Sequence, residues 1–509
     1  MLKFLRLSNT RQHPTAPAAE EEEDQKTSQN LPPKDMSVPD GDGDPASNSK
    51  TPAMTSTATT PDSSSGASVP PENGNKPAQI LIAGGGIVGL IAALAIKKHT
   101  GLIPEIHEQA HGFDPDVGAG MGLYANGLRV IRDIDPQLLK AIQEAGYPYM
   151  YRRWVRHDGS EVATSEERVL SQTHPNYGEV QEQETTGEDA DGLQTLGIRR
   201  WKLQQLLHEA IEKADIPIIF NKKVLTVNLL DNGLTEVVFQ DGSSRTTQVL
   251  VGADGGKSVV RTKMLQKIYQ EGDAETKEEV MPSLSYTGVT CIMGVAENTK
   301  SCRGISFPVA PTTKCHGCFY PTGETEQCFQ FHLPIPAEKT KKGEDPKQDS
   351  CWGNLSQQVS KEECNKLADI LEIDGWNEEQ FLKPLKNVTR AVRVGFVKLS
   401  PPLSHWSFKN AKGQLRTVLV GDAAHPAVPY TGQGAQQGME DAGTLALVLK
   451  QYCLDDQGKL DLSNFEHAMK VYEGIRIPRA AKILDNSHFM GNMQLKRAQN
   501  SAYNIIKEE

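Results

Sequence analysis

Apolar and polar positions divide the chain sharply near residue 78. From Gln12 to Gln79 there is no Phe, Trp, Tyr or Ile, and Pro, Ser, Thr, Gly and Asp crowd a segment that includes an acidic run at Glu20–Asp24. Such a stretch buries too little apolar surface to offset an ordering entropy of about 1–2 kcal/mol per residue, so residues 1–77 are expected to form a disordered tail. Immediately after it, Ile80–Ile96 (ILIAGGGIVGLIAALAI) is almost wholly apolar and closes on Lys97 and Lys98. Its length suits a membrane span, but three consecutive glycines suit a buried strand, a tight turn and a helix. The pattern predicts a strand at Gln79–Ala83, a helix at Ile87–Lys98 and a strand at Pro104–Glu108. No other segment approaches 18 apolar residues, so no transmembrane segment is expected.

Further along, Val249–Ala253 and Thr417–Val420 are short apolar strands, and a long helix is predicted from about Gln436 through Lys450. Between them, Tyr151–Ala163 has the alternation of a hairpin with its turn at Asp158-Gly159. Tyr286–Val295 and Cys328–Leu333 read as strands, Glu182–Asp191 as an acidic loop and Pro336–Ser350 as an inserted surface loop. Leu462–Ser487 reads as helical segments interrupted at Pro478.

Composition narrows the class of partner. Lys and Arg total 54 against 65 Asp and Glu, a formal charge of −11, which argues against nucleic acid and against an anionic membrane surface. Eight cysteines are scattered through a long chain with no secretory signal, which points to reduced thiols. Cys315 and Cys318 have metal-ligand spacing, but no second pair follows at zinc-site distance, so no metal is expected. The basic, partly apolar Met1–Arg11 has the composition that opens a mitochondrial transit peptide, while the acidic run argues against extending it. The cytoplasm is therefore the expected compartment, with the mitochondrion as the alternative.

Candidate chemistry begins at Gly84-Gly85-Gly86-Ile87-Val88-Gly89, between the first strand and helix. Gly84 allows the tight turn, Gly86 lets backbone approach a pyrophosphate, and Gly89 lets helix and strand pack closely. The phosphates would meet the free N–H groups of the helix start. Glu108 ends the next strand about 20 residues beyond the last glycine, where a carboxylate accepts hydrogen bonds from ribose hydroxyls and repels a 2′-phosphate. FAD or NAD therefore fits better than NADP. There is no second glycine fingerprint for a separate nicotinamide domain. Downstream, Asp254 opens DGGKSVVR, a carboxylate at a strand end followed by Ser258 and Arg261. Asp422 sits at the end of another strand, in GDAAHPAVPYTGQGA.

These pieces together resemble the group A flavoprotein monooxygenases, in their salicylate hydroxylase-like branch. The resemblance rests on GGGIVG, GAGMG at Gly118–Gly122, IRRWKLQQLL at Ile198–Leu207, DGGKSVVR and GDAAHPAVPYTGQGAQQGMEDA, and covers roughly residues 78–490. It implies an α/β fold: a Rossmann-like FAD-binding fold with an inserted mixed β-sheet substrate domain and C-terminal helices. The expected divisions are 78–280 and 401–490 for the two parts of the FAD-binding domain, 281–400 for the substrate domain, and 491–509 for a tail. By the same resemblance Arg200, or its neighbour Arg199, meets the FAD pyrophosphate or ribitol, and Gly122 meets the cofactor through its backbone. Asp422 would accept from a ribitol hydroxyl, which NAD lacks, although a helix N-cap is its ordinary alternative. Backbone N–H groups of the loop to Gly434 and Ala435 would face the flavin ring, where negative charge develops on reduction. Glu440 and Asp441 read equally well as a solvated helix face, and Arg476 and Arg479, in YEGIRIPRA, as structural pairs.

The implied activity uses NADH or NADPH as a transient reductant and O2 to hydroxylate or epoxidise a small aromatic, polyketide or isoprenoid molecule through a flavin C4a-hydroperoxide. A dehydrogenase or reductase of the same architecture, or a flavin-binding scaffold, are the alternatives. His425, Tyr430, Tyr286 and His332 are candidates for acid–base work, each equally readable as a satisfied core residue, so no catalytic residue is assigned.

Overall fold

The structure, a computed structural model, describes residues 76–113, 118–166, 193–271, 280–297, 303–310, 315–334, 357–410 and 412–507. The expected tail, apart from Lys76 and Pro77, and the Glu182–Asp191 and Pro336–Ser350 loops lie outside them.

The first sheet forms around Ala78–Ala83, which pairs in parallel with Ser244–Gly252 on one side and Glu105–His107 on the other. Its order runs Ser407–Lys409, Leu415–Leu419, Ser244–Gly252, Ala78–Ala83, Glu105–His107, Ile218–Ile219, with the Val224–Leu229/Thr235–Phe239 hairpin attached to Ser244–Gly252. Ile80, Leu81 and Ile82 are wholly buried, as expected of a parallel strand covered on both faces. The following helix, Ile87–Thr100, is enclosed nearly all round, with Leu90, Ile91, Ala92, Ala93, Ala95 and Ile96 buried, and packs against the helix Gly434–Tyr452. Its membrane-like hydropathy comes from that enclosure. It ends at Gly101, whose φ of +76° closes the last turn in the left-handed region. Among the described residues no helix is long and apolar enough to cross a membrane.

A second, mixed sheet has the order Gln357–Val359, Val388–Ser400, Ser283–Glu297, Glu326–Pro334, His316–Pro321, Ile305–Val309, Tyr151–Arg156, Glu161–Glu166. The Asp158-Gly159 turn forms as its sequence implies: Gly159 has φ +89°, and its N–H bonds Arg156 O. Its hairpin, however, pairs in parallel with Ile305–Val309, so it belongs to the second sheet although it falls inside the 78–280 division. Alternation reveals a hairpin but not which distant strand it joins. One face of this sheet places Phe319, Phe329 and Phe331 in a core with Trp376 and Phe381. The opposite face carries Cys328 and Tyr320, and Cys291 packs with Phe396 and Val428. Gly120–Leu123, Leu196–Arg199 and Tyr147–Pro148 form a small third sheet with Leu196–Arg199 at its centre.

The C-terminal region differs from expectation. One helix runs from Phe465 to Lys507 with Pro478 inside it, replacing both the interruption at Pro478 and the tail from 491. The proline removes one N–H from the ladder, but Tyr472 and Arg476 before it and Ala480 after it are buried against the body of the protein, so packing on both sides holds the helix continuous.

Candidate active site

The glycine turn divides its labour as the spacing implies. Gly84 has φ +108°, and a Cβ there would stand 2.6 Å from Ala253 O; a Cβ on Gly89 would stand 2.0 Å from Gly84 O. Both positions are closed to any side chain by backbone contact. Gly86, the N-cap of the Ile87–Thr100 helix, is different: a Cβ there meets nothing within 4 Å, and no side chain caps the helix. The first N–H groups of the helix thus have no side-chain cap. Glu108 is brought alongside by the parallel pairing, and its carboxylate accepts from Gly85 N (2.6 Å) and Ala110 N (2.8 Å). A carboxylate has about four acceptor positions, so room remains for further donors.

Arg200 opens the helix Arg200–Lys213. Gly118, at φ +87°, lies against it, a Cβ there being 3.1 Å from Arg200 Cδ. Neighbouring Arg199 instead pairs with Glu326 at 2.7 Å. Burial pulls the Arg200 pKa down, and the carboxylates of Asp422 and Glu108 oppose the shift. Asp422 is pushed up by burial, against His425, Arg200 and Arg261. Arg200 and Asp422 are nonetheless both open to solvent. Groups that reach water yet are largely ringed by protein stand at the floor of a cleft. That floor is a row of carboxylate, guanidinium and carboxylate. Gly122, on the strand Gly120–Leu123, offers its carbonyl to Gln436 Nε2 at 2.9 Å.

The turn that carries Asp422 is a single 3-10 turn, Gly421–Ala423. Buried charges grip it from behind. Arg261 donates to the carbonyls of Asp422 (3.3 Å), Ala423 (2.8 Å) and Gly256 (2.5 Å). Asp441 accepts from Gly421 N (2.8 Å), His425 Nε2 (2.6 Å) and Arg476 Nε (2.7 Å). Burial raises the Asp441 pKa, but His425 and Arg476 outweigh it and hold the carboxyl below its usual value. The Asp422 side chain caps no helix, so the N-cap alternative fails. Gly434 begins the helix Gly434–Tyr452, and a Cβ there would stand 3.9 Å from Asp422 Oδ1. Ala435 follows it. Gln433, before this helix, turns its side chain to Asn126 (3.0 Å) and leaves the helix start uncapped.

Asp254 uses its two oxygens differently. Its Oδ2 accepts from Val259 N (2.7 Å) and Val260 N (3.0 Å), which caps the helix Val259–Glu271, while Oδ1 is buried with no hydrogen-bond partner. Asp441, Arg476 and Arg261 are the residues that sequence reasoning undervalued. Asp441 read as a solvated face because helical periodicity does not show which neighbour covers it. His425 is likewise structural, bonded to Asp441 with its ring 4.7 Å from Trp406. Tyr286 shares a hydrogen bond with Thr290 Oγ1 at 2.8 Å. Tyr430 and His332 meet in a ring cluster on the cleft-side face of the second sheet. Among the described residues, no three His, Cys, Asp or Glu side chains form a group that could hold a metal.

An uncapped helix start, the Glu108 carboxylate with acceptor positions to spare, the Arg200–Asp422 floor and the orphaned Asp254 Oδ1 suit an FAD molecule. A family model described as an FAD binding domain matches residues 77–384. An FAD-dependent monooxygenase of Gibberella moniliformis is 27% identical over 424 residues, covering 81% of this chain and 86% of that protein. The aurachin C monooxygenase/isomerase of Stigmatella aurantiaca is 25% identical over 425 residues, 81% of this chain and 89% of that one. The crystal structure of Klebsiella pneumoniae HpxO complexed with FAD and uric acid shares the fold, with a TM-score of 0.60 at 20% identity over 85% of this chain and 93% of that one.

Proposed function

Because this chain belongs to the FAD binding domain family and is a flavoprotein monooxygenase, we propose that it takes electrons from NADH or NADPH and places one oxygen atom of O2 on a small aromatic or related natural-product substrate. The observation that supports this most is the row of Glu108, Arg200 and Asp422 between two uncapped helix starts. In this reading Glu108 accepts from the adenosine ribose. The N–H groups after Gly86 and the Arg200 guanidinium neutralise the pyrophosphate, and Asp422 accepts from the ribitol. Asp254 Oδ1 takes a donor at the same wall, and the backbone of Gly122 closes the opposite side.

When bound, FAD supplies the two-electron reduction and the activation of O2. The chain's own part is binding, orientation and dryness. The N–H groups of Gly434 and Ala435, aligned with the helix dipole, stabilise negative charge on a ring placed before them. The second sheet covers the cleft and excludes water.

The test is turnover of FAD-loaded protein with NAD(P)H, isotopically labelled O2 and a panel of phenols, aromatic acids and isoprenoids. Substrate-stimulated nicotinamide oxidation with one labelled oxygen in the product is expected. Flavin-dependent turnover without label would move the reaction to a dehydrogenase or reductase.

A further inference from the structure

The helix Phe465–Lys507 meets several parts of the protein in turn along its length. Its first turns carry Phe465, Ala468, Met469 and Tyr472 into the core of the first sheet. Arg476 then enters the charge network behind the Asp422 turn through Asp441 and Glu440. About three helical turns further on, Ser487 and Gly491 meet the short turn Pro429–Thr431 and the residue before it.

Ser487 is wholly buried, and its hydroxyl donates to the Val428 carbonyl at 2.6 Å. A serine within a helix ordinarily returns its hydroxyl to the carbonyl four residues back; Ser487 gives its only hydrogen to another segment instead. Gly491 follows one turn later on the same face of the helix. A Cβ there would stand 2.5 Å from Tyr430 Cε2 and 2.7 Å from Tyr430 Cδ2, so the ring fills the space that any side chain at 491 needs. The two residues thus hold the entry of the turn, one by a hydrogen bond and the other by the room it leaves. Its exit is held from the opposite end of the loop, where Gln436 Nε2 donates to the Gly432 carbonyl at 2.8 Å. The turn's own hydrogen bond, Gly432 N to Pro429 O at 2.9 Å, fixes its shape but not its place. That place matters, because the turn leads directly into the uncapped helix start at Gly434 and Ala435, and the attraction of a helix start for negative charge falls off within a turn.

We propose that Ser487 and Gly491 are positioning residues for the flavin: the C-terminal helix sets where the Pro429–Thr431 turn lies, and through it how strongly the N–H groups of Gly434 and Ala435 favour the reduced ring. The proposal rests on the FAD reading of the cleft. Both residues act through the turn, so their loss is felt as a displaced helix start and not as a lost contact with the cofactor.

The test is the two-electron reduction potential of the FAD-loaded, full-length protein, read by equilibration against a reference dye. Ser487→Ala and Gly491→Ala should each lower the preference for reduced over oxidised flavin about three- to tenfold, a fall of about 15–30 mV for a two-electron couple. In a Tyr430→Ala background the ring that Gly491 accommodates is gone, so adding Gly491→Ala should leave the potential where Tyr430→Ala alone puts it. Phe489→Ala, on the exposed side of the same stretch, should keep the wild-type potential. Variants that lose thermal stability yet hold the wild-type potential would overturn the proposal and leave the helix a structural brace, and so would a Gly491→Ala effect that persists without the Tyr430 ring. The two substitutions are read independently, so either carries the test if the other does not fold. Wild type that takes up no FAD would refute the cofactor reading itself and the proposal with it, whereas wild type that binds FAD beside variants of unchanged potential would refute the proposal alone.

Discussion

Two buried polar regions lie on either side of the cleft, and they are built oppositely. Behind the Asp422 turn, Asp441, Arg476 and Arg261 are buried charges with named partners on several elements. In the ring cluster of the second sheet, His332 Nδ1 and the Tyr430 hydroxyl are neutral, buried and unmatched. A satisfied network fixes a shape, because each partner loses if another moves. An unsatisfied one stores a preference for whatever can complete it. The first region holds the Asp422 turn in place; the second leaves two buried polar atoms without a partner.

The sharpest way to break this contrast is Asp441→Ala. The change strands the Arg476 charge, the Gly421 N–H and His425 in the interior, so a loss of about 3–5 kcal/mol in unfolding free energy is expected from chemical denaturation. A loss under about 1 kcal/mol would show that the network is not what holds the turn. Next in size is Asp422→Ala. This carboxylate stands open in the cleft, so folding stability should hardly change while FAD affinity falls about 10- to 100-fold, the value of hydrogen bonds to a charged group. Titration of apoprotein with FAD reads this, and undiminished affinity would remove Asp422 from the assignment.

The smallest effect belongs to a satisfied pair at the margin of the first sheet. Burial opposes ionisation of Glu105, but the nearby His107 ring, 3.6 Å away, and the hydrogen-bonded Arg245 outweigh it and draw its pKa down to about 2; Arg245 Nη2 lies 2.5 Å from Glu105 Oε1. With the folded pKa below the unfolded value of about 4.3, the stabilisation is fully present above that value and fades as pH falls toward about 2. An Arg245→Met variant should therefore be less stable than wild type by no more than about 1 kcal/mol at neutral pH, with the gap closing in acid. Urea melts across pH would show this, and a pH-independent gap would detach Glu105 from the effect.

Much of the cofactor half was legible along the chain, since its requirements are local. Gly89 is needed by its contact with Gly84 within one strand, turn and helix, and Gly86 opens that same helix, while Gly84 takes its positive φ in that turn although the contact that closes it comes from distant Ala253. Glu108 follows from the length of one β-α-β unit. The apolar run at Ile80–Ile96 declared a buried strand and helix before any partner was known. Asp441 was not legible in this way. Its helix pattern was visible, but its burial depends on Arg476 and Gly421, which come from distant parts of the chain. The Tyr151–Glu166 hairpin was visible as a hairpin, whereas its place in the second sheet required the parallel partner Ile305–Val309.

The sequence by itself determined the dinucleotide turn, the acidic partner at Glu108, the order of the flavin motifs and the presence of a β-rich insertion, because local sterics and periodicity act over a few residues. Only the tertiary structure decided which arginine pairs with Glu326, which carboxylate anchors the Asp422 turn and which nitrogen of His332 is bare. Each of those depends on groups brought together from separate strands and helices, and a hydrogen bond has a direction only once both its partners are in place.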